Sequence, residues 1–162
     1  MKKGLLMILM LVGIFAVKAQ EEESFTDEDL TKYATVMVWA ETEKDNLGKL
    51  VSDSVSIWIE GTDLETSKYI EISKADKKGE LETVEASEGE LAVYKEVQTK
   101  IDNKTSTFKE VYVTKIKEDI GAGLYNKLKK ALKADDEVKV RYDAIYAELQ
   151  SADEAESKDT EE

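Results

Sequence analysis

Residues 26–60 read TDEDLTKYATVMVWAETEKDNLGKLVSDSVSIWIE, and this stretch decides the fold because it has the pattern of one long amphipathic helix. Thr26 can cap the first turn, Asp29 stands where a carboxylate can return that hydrogen bond, and Phe25 can pack against Leu30. Apolar residues then recur at spacings of three, four and seven, which is typical of a helix that packs along one face. They are Leu30, Tyr33, Met37, Ala40, Leu47, Val51, Val55 and Trp58. Gly61 is the predicted left-handed end of this helix.

Further apolar residues lie beside this stripe and widen it. At 100° per residue the combined apolar arc covers about 220° of the helix surface. An arc of that width needs at least two packing neighbours, which predicts a central helix about 50 Å long. The added residues are Val36, Trp39, Leu50 and Ile57.

A second helix is predicted after the first, because Thr62 and Glu65 frame a sequence of the capping-box type. Lysines followed by Gly79 indicate its end. Residues 80–86 contain few large apolar side chains, and their pattern fits either a loop or a frayed helical extension.

A second long helix is predicted over residues 88–118, with Ser87 as its cap and an apolar stripe of near-heptad spacing. A β-hairpin is the competing interpretation, because residues 93–101 alternate and residues 107–114 are rich in β-branched and aromatic side chains. A two-residue hairpin turn would require glycine after Asn103, and the sequence has lysine there. The seven-residue spacing also continues across the proposed turn. The pattern therefore favours the helix.

Two glycines, Gly121 and Gly123, interrupt the helical pattern and predict a corner. Two shorter helices are expected beyond it, and the second of them begins near Asp135. The predicted fold class is thus all-α: a helical bundle of two long helices, at about 26–60 and 88–118, with three shorter helices packed on them.

The two ends of the chain have different compositions from the predicted fold. Residues 1–19 have a basic start, a short apolar run and a small-residue site after Ala19, as in a secretory signal peptide. An uncleaved membrane anchor is the alternative, although the run is shorter than the roughly 20 residues of a span. Residues 20–25 are expected to be a disordered spacer, 26–150 a single helical domain, and 151–162 a disordered acidic tail.

Charge and composition exclude several classes of partner. The formal net charge of −13 makes nucleic acid and anionic membrane surfaces poor partners. The absence of cysteine excludes disulfides and a lipid-bearing thiol. The sequence predicts no catalytic residues, no cofactor and no metal site; weak, diffuse association of divalent cations with the many carboxylates is the expected cation chemistry.

The C-terminal third carries a group of residues that resembles the closing motif of the bacterial domain-of-unknown-function family 4168. The motif residues that we assign to it are Tyr125, Asn126, Leu128, Asp135 and Arg141, after Asp119-Ile120. The opening Thr26-Asp27-Glu28-Asp29-Leu30 with Tyr33-Ala34 is similar to that family's start. Asp119 stands where the family has glycine, and no proline follows Asp135. The resemblance implies an exported all-helical domain without an assigned activity.

The motif residues have simple structural interpretations. We expect Tyr125 to be a packed aromatic and Asn126 a local cap, in preference to a ligand pocket. Asp135 is expected to cap a helix in preference to binding a cation, because the acids around it lack the spacing of a calcium loop. Residues 69–75 resemble residues 125–131, which leaves an internal duplication open.

The predicted function follows from these exclusions. The chain is expected to be an exported protein of the periplasm or the cell exterior that binds an unknown envelope protein without catalysis, or that has a structural role there. A small periplasmic chaperone is the alternative, and it would require exposed apolar patches on the folded surface. An enzyme is a distant third possibility, because no carboxylate is marked by an apolar cleft.

Overall fold

The structure, a computed structural model, describes the backbone of residues 24–159 and the side chains of residues 24–153. Within this part the chain is helical and has no strand. The helices are α1 (Asp27–Ile59), α2 (Thr66–Lys78), α3 (Glu88–Lys115), α4 (Ala122–Ala134) and α5 (Asp136–Asp159). The all-α prediction of two long and three shorter helices is confirmed. No described helix combines the length and the apolar composition that a membrane span requires. The predicted signal peptide at residues 1–19 lies outside the described residues.

The start of α1 has the local chemistry that its sequence predicts. The Thr26 hydroxyl accepts a hydrogen bond from the Asp29 amide at 3.1 Å, and the Asp29 carboxylate accepts one from the Thr26 amide at 3.1 Å. Hydrogen bonds from Thr26 hold the pKa of Asp29 below its usual value. Phe25, which the sequence assigns to a disordered spacer, is buried in the same core as Leu30. The ordered fold therefore begins before the cap.

α1 and α3 run antiparallel and share two separate hydrophobic cores. The first core joins the start of α1 to the end of α3 and to α4 and α5; its buried residues are Phe25, Leu30, Tyr33, Val36, Ile116, Ile120, Leu128 and Val138. The second core joins the end of α1 to the start of α3 and to α2; its buried residues are Val55, Ile59, Leu64, Tyr69, Ile72, Tyr94 and Val97.

α2 begins later than the sequence predicts. The Thr62 hydroxyl donates to the Ile59 carbonyl at 2.7 Å and accepts from the Leu64 amide at 3.2 Å, so Thr62 closes the turn after α1 instead of capping α2. Leu64 is buried in the second core, and an extended link is what brings it there. Gly79 ends α2 with a positive φ of 72°, as predicted. In residues 80–86 only Leu81–Thr83 form a helical turn, of the 3-10 type.

α3 passes unbroken through the residues of the alternative hairpin, which confirms the helical interpretation. It continues into a π-helical turn, Ile116–Ile120, in which the Gly121 amide donates to the Ile116 carbonyl at 2.9 Å. Ile116 and Ile120 are both buried in the first core. Gly121, with a φ of 84°, then makes the predicted corner.

α5 extends beyond the predicted domain end. The helix covers residues 151–159, where the sequence predicts disorder. Lengthening an existing helix by good helix formers such as alanine and glutamate costs little, because the unfavourable nucleation step has already been made. A hydrogen bond of 2.8 Å from the Thr42 hydroxyl to the Asp153 carboxylate also holds this segment against α1.

The two halves of the fold repeat each other approximately. Four residues of α1 have counterparts 61 positions later, in α3 or its π-helical turn, with similar side chains and matched burial; the pairs are Tyr33 with Tyr94, Val36 with Val97, Val55 with Ile116, and Ile59 with Ile120. α2 and α4 match at a separation of 56, with Ile72 and Leu128 both fully buried. Because α1 and α3 are antiparallel, the halves are related by an approximate two-fold axis, which favours the duplication that the sequence leaves open. α5 has no counterpart among the described helices.

The wide apolar arc of α1 is covered over only part of its length. Val36 is fully buried and Trp39 is partly buried. Leu50 is 46% exposed and Ile57 is 68% exposed. The prediction that a second neighbour covers the arc is therefore wrong for these two residues. The reason is that α5 lies along the first half of α1, where Tyr146 and Asp153 contact Glu41 and Thr42.

A pair of matched substitutions tests this uneven burial. Leu30→Ala should lower the free energy of unfolding by about 3 kcal/mol, because it leaves a cavity at a fully buried position. Leu50→Ala, the same change in the same helix, should cost less than about 1 kcal/mol because the side chain already contacts water. Urea unfolding followed by far-ultraviolet circular dichroism measures both losses. Equal losses would contradict the burial described above.

Candidate functional site

Of the motif residues, Leu128 lies inside the first core and the partly buried Tyr125 packs against it. The Tyr125 ring stacks on Tyr33 with centroids 5.4 Å apart, and its hydroxyl lies 3.4 Å from that of Tyr112. Leu128 is fully buried in the same cluster. Their role is therefore packing, as the sequence predicts for Tyr125.

Asn126 and Asp135 make only local contacts. The Asn126 amide donates to the Ala122 carbonyl at 2.9 Å within α4. The Asp135 carboxylate accepts from the amides of Glu137 and Val138 at 2.9 and 3.1 Å, which makes it the cap of α5. In the described part of the chain, no group of three or more acidic side chains is placed to hold a metal ion.

Arg141 has a long-range role that its sequence neighbourhood does not indicate. Its guanidinium donates to the Phe25 carbonyl at 3.0 Å and to the Asp27 carboxylate at 3.1 Å. These bonds tie α5 to the first turn of α1. A four-residue spacing would predict a pair with Glu137, but the partner lies more than 100 residues away in sequence. The motif residues thus hold together one end of the fold.

The tyrosines of this end are electrostatically unsuited to acid–base chemistry at neutral pH. Burial raises the pKa of Tyr33 to about 12. Burial, together with a hydrogen bond to the Glu41 carboxylate, raises the pKa of Tyr146 to about 12. Burial also raises the pKa of Tyr112 and Tyr142. Each shift disfavours the phenolate form, so these hydroxyls stay protonated.

A more open site lies between the two cores, where α1 and α3 have only each other as neighbours on one face. We call it the central groove. Its volume is about 410 Å³, and its lining residues are Trp39, Glu43, Asn46, Leu47, Leu50, Lys104, Thr107, Phe108 and Val111. The floor is largely apolar, and the Trp39 ring stacks on Phe108 with centroids 6.4 Å apart.

The central groove lies on the approximate two-fold axis. Trp39 faces Phe108, so a step of about one turn along each antiparallel helix brings Glu43 opposite Lys104. Eight of the nine lining residues form pairs 61 positions apart: Glu43 with Lys104, Asn46 with Thr107, Leu47 with Phe108, and Leu50 with Val111. The ninth is Trp39, whose counterpart Lys100 does not line the groove. The groove is therefore two-fold in shape, whereas its two central charges have opposite signs.

Glu43 and Lys104 are unusual among the partly buried charged side chains of residues 24–153. These side chains belong to Asp29, Glu43, Lys68, Glu90, Lys100, Lys104, Lys115 and Arg141. All but two have a hydrogen-bonded or ion-paired partner. The two without a described partner are Glu43 and Lys104, and both line the central groove. Among the described residues no buried side-chain nitrogen or oxygen lacks a hydrogen-bond partner, so the charged ends of Glu43 and Lys104 reach water and are available to a countercharge.

Comparison of the chain with protein-family models, with curated protein sequences and with solved structures finds no match. The resemblance to family 4168 stays a prediction. The central groove is consequently defined by geometry alone.

The wide apolar arc of α1 was the signal for the groove in the sequence, and it predicted a second packing neighbour in place of an open face. Trp39 and Leu50 stand out as part of an apolar arc wider than one neighbour can cover, but the arc alone does not say which part stays open. Lys104 gave no signal, because one lysine on a charged helix is common.

Replacing Arg141 tests the tie between α5 and α1. Arg141→Ala should lower the free energy of unfolding by about 1 kcal/mol, since it removes a backbone hydrogen bond and a solvent-exposed ion pair. Lys139→Ala is the control, because Lys139 pairs with Asp143 of the same helix; it should cost less than about 0.5 kcal/mol. Urea unfolding gives both values, and an Arg141→Ala loss no larger than the control would refute the tie.

Proposed function

We propose that this chain is an exported, non-catalytic protein of the bacterial cell envelope that binds a protein partner through the central groove. The observation that carries the proposal is the pair Glu43 and Lys104, which are partly buried beside apolar side chains and lack a described partner. A bound protein that supplies both countercharges would form ion pairs with them in place of their contacts with water.

The composition of the groove suits protein binding. Large aromatic side chains in the middle of a face, surrounded by polar residues, are typical of the residues that dominate interface energies. Trp39 and Phe108 lie one helical turn from the central charges here, and Asn46 and Thr107 contribute polar groups. Leu50 and Val111 are 46% and 48% exposed, so a partner that covers them would remove apolar surface from water.

Export and an envelope location rest on the sequence of residues 1–19 and on the resemblance to family 4168. Both point to a protein whose leader is removed and which acts outside the cytoplasm. The acidic charge supports a protein partner over nucleic acid or an anionic membrane.

The chaperone alternative has weaker support. Its requirement is a large continuous apolar surface. The exposed large apolar side chains of the described residues are divided among α1, α2, α3 and α5: Leu50, Ile57, Ile70, Val111, Val113 and Val140. Single exposed side chains of this kind are common on soluble proteins. The central groove brings two of them, Leu50 and Val111, into one lining.

Photo-crosslinking in the native host tests the proposal. Val111 and Val113 are matched positions, 48% and 46% exposed on the same helix, but only Val111 lines the groove. With photoreactive p-benzoylphenylalanine at position 111, irradiation should give a discrete covalent adduct on a denaturing gel. The same amino acid at position 113 should give little or none. Equal adducts at both positions, or none at position 111, would contradict the proposed binding face.

A further inference from the structure

We infer that the partner that covers the central groove is a second copy of this chain, in a two-fold dimer in which Glu43 of each copy pairs with the partner's Lys104. The inference rests on the proposed function, since it identifies the occupant of the same face. It follows from the arrangement of charge in the groove.

The groove is complementary to a second copy of itself under a two-fold rotation, because its two sides carry opposite charges. Glu43 and Lys104 stand opposite each other on the two sides of the groove, one on α1 and one on α3. A dimer axis parallel to these helices brings two grooves face to face and places each acid over a base. Such an interface is isologous, so one kind of contact is made twice. Any other protein would have to carry one acid and one base at this spacing, whereas a second copy carries both.

The apolar residues of the groove fit the same arrangement. In the dimer Leu50 of one copy would approach Leu50 of the other at one end of the groove, and the two copies of Val111 would approach each other at the opposite end, which removes side chains from water that the single chain exposes. Trp39 and Phe108 of the two copies would pack one helical turn from the charge pairs, within a four-helix layer. The apolar contacts would contribute affinity, and the charge pairs would fix the relative position of the two copies.

The size of this face predicts a weak dimer. From Trp39 to Ile57 α1 rises about 27 Å, and two helices side by side are about 20 Å wide. The projected area is thus on the order of 500 Å² per copy, below the roughly 800 Å² of a standard stable interface. Two chains of charge −13 also repel each other at long range. Association is therefore expected in the micromolar range, and added salt should strengthen it by screening that repulsion.

Charge exchange between the two positions gives a sharp test by sedimentation equilibrium of the purified chain between about 1 µM and 1 mM. Glu43→Lys alone places two lysines together, and Lys104→Glu alone places two glutamates together. Each variant should raise the dimer dissociation constant at least tenfold. An equimolar mixture of the two variants should regain association, because one chain supplies both lysines and the other supplies both glutamates.

Controls separate the local pair from the change in total charge. Lys109→Glu changes the net charge as Lys104→Glu does, and Glu110→Lys changes it as Glu43→Lys does. Lys109 and Glu110 are exposed on α3 and do not line the groove. Neither control should change the dissociation constant by more than about twofold.

A double variant covers the case in which a single exchange prevents folding. Glu43→Lys combined with Lys104→Glu keeps the net charge; it should dimerise with itself and not with the original chain. Circular dichroism melting confirms that each variant is folded.

Several results would overturn the inference. A chain that stays monomeric up to about 1 mM, or a mixture of the single variants that fails to regain association, excludes the paired dimer. If the crosslink at position 111 then holds a different protein, the dimer fails and the proposed binding face stands. If position 111 gives no adduct either, the dimer and the proposed binding face are both contradicted.

Discussion

The length of α1 is the constraint on which the other features depend. A helix of 33 residues spans about 50 Å, and its apolar stripe needs neighbours along the whole distance. α3 is the one described helix that runs from the first core to the second. α2 and α4, with 13 residues each, are about 20 Å long, so each closes only one core. The middle of the α1 and α3 pair is consequently open on the face that forms the central groove.

The repeat of the two halves explains where the fifth helix lies. α5 covers a side of α1 at which Val38 is buried. The residue 61 positions later on α3 is Thr99, which is exposed. α3 therefore has no apolar surface there that would bury a second copy of α5. The same repeat gives the central groove its two-fold shape, and the difference between Glu43 and Lys104 gives it opposite charges on its two sides.

Local chemistry made much of the fold predictable from the sequence. The caps at Thr26 and Ser87 and the glycines at positions 61, 79 and 121 act within a few residues, so a sequence pattern is sufficient to locate them. The start of α2 was misplaced because Thr62 could serve either the end of one helix or the start of the next, and the burial of Leu64 decides between them. The exposure of Leu50 and Ile57 and the contact of Arg141 with Asp27 depend on which helices become neighbours. A single sequence does not contain that information in local form, and the same limit hid the placement of Glu43 opposite Lys104 across the groove.

Native-state hydrogen exchange along α1, at a protein concentration too low for association, tests the two-core account most directly. Amides over residues 30–38 and 55–59 lie in the first and second cores and should exchange slowly. Amides over residues 44–50 lie between the cores and should exchange measurably faster, because opening there disrupts few buried contacts. Uniform protection along the whole helix would contradict the account, since it would mean that α1 is held by one continuous core.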